Sequence, residues 1–209
     1  MNQLGNSARY IEGQSLSTIW VVKSLGIDPA NGKEMFLDIN GNRTYIWDSK
    51  DQIPYATSDP KLRGSLGLSL TWKGLSFNFY SAYSFGGMLY NQTLVTRVES
   101  VDFKKNCDRR VFTERWRNPG DVTLFKDVRD RSATKPTSRF VQKNNYLDLS
   151  SINISYMLSK ESLSKLKYFK SLSFGFTTND LARISSIQIE RGISYPFART
   201  FNFSIQASF

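Results

Sequence analysis

The chain has 209 residues, 40% hydrophobic and 14% aromatic, with a formal net charge of +10 and a pI near 9.7. It holds no histidine and one cysteine, Cys107. These counts remove the commonest metal ligand and general base, any internal disulfide, and any Cys/His zinc site. The apolar share is below a globular average, which suits apolar residues alternating with polar ones rather than a solid aliphatic core.

Met1 to Arg9 shows no basic segment followed by an apolar one, so no secretory signal is visible. Gly13 to Lys23, with Leu16, Ile19, Trp20, Val21 and Val22, reads as a strand of imperfect alternation. Gly26, Asp28-Pro29 and Asn31-Gly32 mark turns. Met35 to Asp38 and Arg43 to Trp47 flank an Asn-Gly turn signal at Asn40-Gly41, giving a small hairpin inside a connection that ends near Pro60.

The clearest segment follows. Leu66, Leu68, Leu70 and Trp72 alternate with Ser65, Gly67, Ser69 and Thr71; beyond Lys73-Gly74, Leu75, Phe77 and Phe79 alternate with Ser76, Asn78 and Tyr80. A two-residue turn at Lys73-Gly74 predicts that Trp72 pairs with Leu75, Leu70 with Phe77 and Leu68 with Phe79, all on one face. From Gly86 to about Asn145 the periodicity vanishes over a stretch far beyond ordinary loop lengths. Ile152, Ile154, Tyr156 and Leu158 then form one strand. Ser159 to Lys170 reads as a linker with one or two helical turns, and Leu172, Phe174 and Phe176 form another strand. An irregular stretch, Asn179 to Ala198, leads to the last one.

In that last segment, Phe201, Phe203, Ile205, Ala207 and Phe209 alternate with Thr200, Asn202, Ser204, Gln206 and Ser208. A strand sends successive side chains to opposite faces, so one face is apolar and the other uncharged and polar. The eleven residues from Arg199 are about what a tilted strand needs to cross a hydrocarbon layer, ~9–11. In a soluble sheet the same pattern means a core face and a wet face. The longest apolar runs, such as Ile19 to Val22, are far too short for a spanning helix, so a membrane reading requires a barrel.

The connections favour that reading. From strand to strand they run long, short, long, short, long, which sorts the long ones to one end of an antiparallel sheet. Outer-membrane barrels have short periplasmic turns and long extracellular loops, whereas a sandwich has no reason to sort its connections. The fold class expected is therefore all-β: an antiparallel transmembrane β-barrel segment of about six strands, apolar face to lipid and polar face to a watery lumen. Six strands are below the eight of the smallest such barrels, so the sequence reads as part of a larger one.

Between Arg97 and Lys143 lie 13 basic and 7 acidic residues, an excess of +6. No helix-turn-helix, zinc finger or aromatic RNA-binding motif accompanies this charge, which excludes a nucleic-acid partner on motif grounds. A solvated mixed-charge loop is the plain explanation, and attraction to lipopolysaccharide phosphates or to an acidic partner the alternative.

The residues between the strands resemble the carboxy-terminal end of SusC/RagA-type TonB-linked (TonB-dependent) outer-membrane transporters over essentially the whole chain. The carriers are Glu12-Gly13 with Ser15-Leu16; Gly26-Ile27-Asp28-Pro29 with Gly32; and Asp59-Pro60-Lys61 with Gly64. Then come Tyr83-Ser84-Phe85-Gly86-Gly87 with Tyr90-Asn91, and Arg115-Trp116-Arg117-Asn118-Pro119-Gly120-Asp121. Ser138-Arg139-Phe140-Val141 runs on to Asn145-Tyr146-Leu147 and Tyr156, and Tyr195-Pro196 with Arg199-Thr200-Phe201 leads to Phe209. Asp148 departs from the family's usual arginine, and Asn179-Asp180-Leu181 from its usual glycine context.

The resemblance implies a gated importer rather than an enzyme, without cofactor or metal, carrying oligosaccharides or, in some members, peptides. The domain expected over 1–209 is the carboxy-terminal part of the barrel, with plug domain, TonB box and amino-terminal barrel strands absent. The implied location is the outer membrane of a Gram-negative, Bacteroidetes-like bacterium. The implied partners are a SusD-like lipoprotein lid, the TonB system acting through the missing plug, the barrel-assembly machinery, and outer-membrane lipid with lipopolysaccharide.

Leu25 to Asp59, Met88 to Asn144 and Asp180 to Tyr195 are the expected extracellular segments. Trp47, Tyr90 and Trp116 are the candidate ligand or lid contacts, against the alternative that each packs within its own loop. Arg115, Trp116, Pro119, Gly120 and Asp121 are the candidate loop-structuring motif. Phe201, Phe203 and Phe209 are the candidate terminal signal for barrel assembly. Two other classes stand beside the importer: a soluble carbohydrate-binding β-sandwich, or a truncated gene product without activity. An enzyme using Asp127 and Asp130 is the weakest reading, since Arg129 and Arg131 beside them suit surface ion pairs.

Overall fold

A computed structural model describes residues 11–164, 168–187 and 199–209 of the chain. Met1 to Arg9, Leu166 and the part of the last predicted connection at 188–198, with Tyr195-Pro196, lie outside the described residues. Nine strands are described: β1 (Thr18–Ile27), β2 (Glu34–Leu37), β3 (Arg43–Thr44), β4 (Gln52–Thr57), β5 (Leu62–Trp72), β6 (Leu75–Tyr90), β7 (Val141–Met157), β8 (Ser171–Ser185) and β9 (Thr200–Ser208). They form two sheets, one ordered β3-β2-β1-β4 and one ordered β5-β6-β7-β8-β9. Two compact units result. Of the described residues, one unit takes in 11–59, 87–143 and 187; the other takes in 60–86, 144–164, 168–186 and 199–209.

The second unit is the five-stranded antiparallel sheet. Lys73 and Gly74 both have positive φ, 47° and 88°, the conformation of a tight hairpin turn whose twist matches its strands. The turn sets Trp72 against Leu75, Leu70 against Phe77 and Leu68 against Phe79, the register the sequence predicts. Further across the sheet, Phe174 lies between Tyr156 and Ile205, and Phe176 between Ile154 and Phe203. The opposite face is uncharged along these rows. There Ser69 Oγ donates to Asn78 Oδ1 at 2.7 Å, and Asn153 Nδ2 to Thr177 Oγ1 at 2.7 Å. At Asp148, where the sequence departs from the family pattern, the opposed residue is Arg183, whose Nε stands 3.5 Å from the carboxylate.

Among the described residues nothing covers the apolar face. Leu70 is 54% exposed, Ile205 72% and Phe203 80%. Soluble monomers rarely expose apolar patches of more than a few hundred Å2. The sheet is also open, with β5 and β9 at its edges.

At Gly74, an added Cβ would stand 2.5 Å from the Met157 carbonyl oxygen, a backbone atom that cannot swing away. The left-handed φ adds strain for any L side chain. Gly74→Ala is expected to destabilise the refolded chain in detergent by about 1–3 kcal/mol, read as a lower urea midpoint. Gly67→Ala, which meets only the Tyr80 ring at 3.2 Å, is expected to cost less.

Three expectations are corrected here. The sheet has five strands, not six, because the first predicted strand belongs to the other sheet as β1. Val21 and Val22 are adjacent and both fully buried, so both faces of β1 are covered, and a strand covered on both faces cannot alternate. That is the origin of its imperfect pattern. Second, the strandless stretch expected after Gly86 is narrower than predicted at both ends and holds short helical turns. β6 runs to Tyr90, β7 starts at Val141, and between them lie α1 (Gln92–Leu94), a π-helical turn at Val95–Glu99, and α2 (Arg110–Thr113). Third, β8 extends to Ser185, into the segment expected to be an extracellular loop. Within the linker after β7, α3 (Lys160–Ser164) supplies the expected helical turn.

In the first unit, β1 lies between β2 and the edge strand β4, whose Pro54 sits opposite Trp20 beside a register shift. An edge is where a strand tolerates a residue without an N–H. The predicted hairpin around Asn40-Gly41 is present, with Phe36 opposite Thr44 and Leu37 opposite Arg43, its second strand stopping at Thr44. Ile19 and Val21 join Tyr90, Leu94, Val98, Phe125 and Phe140 in the core of the unit. No helix among the described residues is long and apolar enough to cross a membrane.

Candidate functional site

The conspicuous chemistry lies in the first unit, where Arg139 is buried with its side chain 3% exposed. Its Nη2 stands 2.7 Å from Glu34 Oε2 and 2.7 Å from Glu99 Oε1, and its Nη1 donates to Leu124 O at 2.6 Å. Burial works against the guanidinium charge. The bonds to Glu34 and Glu99 more than offset it, so the pKa is raised above the ordinary arginine value. One cation thus ties β2, the π-helical turn and the segment around Leu124 together. Its guanidinium also lies 4.4 Å from the centre of the Phe140 ring.

Arg115, likewise buried, donates from Nη2 to the carbonyls of Val98 and Glu99 and from Nη1 to Lys126 O at 3.3 Å. Burial lowers its pKa from the ordinary arginine value. Orphaned carbonyls of an irregular segment need donors, and a buried guanidinium supplies several from one position. Arg115 therefore commits its Nη donors to backbone carbonyls.

Trp116 is 5% exposed. Its Nε1 donates to Pro29 O at 2.9 Å, and its ring lies over Gly32, where a Cβ would stand 2.6 Å from ring atoms. Gly32 has φ +70°, so glycine serves both the turn and the close approach. Gly120 N also donates to Pro29 O, at 2.8 Å, and Asp127 N to Gly32 O at 3.2 Å. Asp121 Oδ2 accepts from the backbone N–H groups of Arg117 and Asn118, closing the turn that contains Pro119 and Gly120. The Asp28-Pro29 to Gly32 passage and the Arg115 to Asp121 passage, distant in sequence, dock on one another through these bonds.

Of the three candidate contact aromatics, Tyr90 and Trp116 are placed in the interior. Tyr90 meets Phe140 edge to face at 6.1 Å between ring centres. As the last residue of β6 it lies where the strand enters the core cluster, which explains why an apparent loop aromatic is covered. Trp47 is half-buried: its Nε1 donates to Pro136 O at 3.1 Å, and Lys135 Nζ lies 5.8 Å from its ring centre. It borders a cleft of about 170 Å3 shared with Phe36, Tyr45, Lys33, Lys126 and Lys135. A larger cleft, about 290 Å3, is bordered by Val101, Phe103, Arg115, Val128 and Arg131. Phe201 and Phe203 stand on the uncovered apolar face, and Phe209 meets Phe169 at 5.1 Å.

Asp127 and Asp130 are engaged by cations: Arg129 Nη2 is 2.6 Å from Asp127, and Lys126 Nζ is 3.3 Å from Asp130. The Arg129 bond holds Asp127 below the usual carboxylate range. Burial pushes Asp130 up, and its bonds to Ser132 and Lys126 bring it lower overall. No group of three potential metal ligands occurs among the described residues. Sequence reasoning quoted Arg139 within a motif but gave it no role. Its buried partners Glu34 and Glu99 are 105 and 40 positions away, and no local pattern links them.

No family-level sequence profile matches the chain. It is 23% identical over 155 residues to a TonB-dependent receptor, P39, of Formosa agariphila; the match covers 72% of this chain and 15% of that protein. The fold is similar to that of the RagAB peptide importer in its closed-closed state, with TM-score 0.67 and 18% identity over 91% of this chain. The open-open state gives 0.69 and 15% over 99% of this chain. The chain spans 23% and 25% of those two solved chains. In sequence and in fold, then, the chain resembles a part of a TonB-dependent, RagA-like outer-membrane protein.

Proposed function

We propose that this chain is a carboxy-terminal part of a TonB-dependent outer-membrane importer of the SusC/RagA kind, supplying five wall strands and an extracellular lobe. The observation that carries this reading is the two-faced open sheet. Its uncovered face is Leu, Phe and Ile, its other face is Ser, Thr and Asn, and both edges lie open among the described residues. In lipid an unpaired edge costs several kcal/mol for each unsatisfied backbone group. The missing pairing falls to further strands of a larger barrel, of which plugged transporters have about 22.

In this reading Phe201, Phe203 and Phe209 face hydrocarbon, and the β9 aromatics are what the barrel-assembly machinery reads. The segments 25–59 and 88–144 face outward, toward a SusD-like lipoprotein lid. TonB acts through a plug elsewhere in the protein. The cargo is an oligosaccharide or a peptide. Support comes from the order of the family motifs, the likeness to a TonB-dependent receptor and the RagAB-like fold.

Fractionation tests it. An antibody against the 88–144 segment is expected to mark a protein in isolated outer membranes, extracted only by detergent and running faster on a gel before boiling than after. A band in the soluble fraction, monomeric without detergent, would overturn the importer reading.

A further inference from the structure

The cleft beside Trp47 has an uneven charge balance. Five charged side chains border it: Lys33, Glu34, Lys126, Asp130 and Lys135. Both carboxylates are already engaged, Glu34 by Arg139 and by Ser24 Oγ at 2.7 Å, and Asp130 by Lys126 and the Ser132 N–H at 2.9 Å. Lys126 is likewise committed, donating to Ser132 O at 2.7 Å. Lys33 and Lys135 remain without a carboxylate partner among the described residues. Lys135 Nζ stands over the Trp47 ring, and Lys33 borders the same cleft as Tyr45, which is 49% exposed.

We infer that this cleft is a subsite for one ring of an anionic sugar, its carboxylate or sulfate held by Lys33 and Lys135 and its C–H face set against Tyr45 and Trp47. The inference rests on the importer reading and narrows its cargo. Two features select a sugar ring over an acidic peptide side chain. Two cations share the cleft with two flat aromatic surfaces, which suit a ring's apolar face. The volume of about 170 Å3 is below the roughly 300–1,000 Å3 of drug-sized sites, leaving room for one ring rather than an extended backbone. Trp47 is held by its bond to Pro136, so the surface is formed before ligand arrives.

The test is a calorimetric titration of the full chain, extracted from outer membranes in detergent. The probes are a glucuronic acid trisaccharide, a sulfated glucose trisaccharide, neutral maltotriose and a triglutamate peptide. An anionic trisaccharide is expected to bind more tightly than maltotriose and triglutamate, with affinity falling as salt rises. The better of the two anionic probes tells carboxylate from sulfate. Lys33→Gln and Lys135→Gln are each expected to weaken binding roughly threefold to fivefold, as for one partly exposed charge pair. Equal binding of maltotriose or triglutamate, no binding, or affinity unchanged in both variants would overturn the subsite. The wall reading is tested separately by extraction and gel shift, so a failed titration on correctly extracted protein counts against the cleft alone.

Discussion

Arg139→Met is expected to destabilise the first unit by about 3–5 kcal/mol, the loss typical of breaking a buried ion pair from one side. The guanidinium is 3% exposed and serves two carboxylates. Removing it leaves Glu34 and Glu99 buried near one another with no cation between them, and it frees the Leu124 carbonyl. Limited proteolysis of the chain in detergent is the direct readout, with new cleavage inside 87–143. The triple variant Arg139→Met, Glu34→Gln, Glu99→Gln separates charge from packing. Much of the stability is expected to return, because neutral groups in the same places carry no unbalanced charge. If the single variant is as resistant as the parent, the triad has no structural weight. Arg139→Lys is expected to recover little, since one ammonium cannot reproduce the forked contacts to two carboxylates and a carbonyl.

Trp116→Ala carries the second large effect, about 3–5 kcal/mol, the usual range for removing a buried tryptophan. Its ring fills the space over Gly32 and its indole N–H satisfies Pro29. Both passages that dock there lose their common contact, so protease sensitivity is expected near Asn31 as well as near Asn118. Trp116→Phe keeps most of the packing and loses the N–H bond. It is expected to cost about 1 kcal/mol for that bond, plus a share for the smaller ring. A stable Trp116→Ala protein with impaired uptake would instead give the residue a contact role.

The hairpin at Lys73-Gly74 was legible from sequence because turn chemistry and two-residue alternation are local and specify the same register. Residues Leu68 and Phe79 meet on one face for that reason alone. The closing strand was legible for the same cause. What alternation could not show was the first unit. Val21 and Val22 are both buried, so the rule that identifies a lipid-facing strand says nothing useful about β1. Nor was the role of Tyr90 legible, because its cover is Phe140, 50 positions on. The roles of Trp47, Trp116 and Arg115 were readable only as alternatives between contact and loop packing. Their hydrogen-bond partners Pro136, Pro29 and Val98 are residues that no spacing rule connects to them.

The first unit is built from two stretches of chain, 11–59 and 87–143, with the β5–β6 hairpin between them. Ile19 and Val21 come from the earlier stretch, and Val98, Phe125 and Phe140 from the later one. The apolar side chains of the earlier stretch are therefore unmatched until the later stretch, beyond the hairpin, is available to meet them. The hairpin closes through a two-residue turn and so forms on the microsecond scale of local structure, while the lobe must join distant partners. Folding order is thereby written into the connectivity: the β5–β6 hairpin comes before the first unit can close, and that unit locks only when Arg139 joins Glu34 and Glu99.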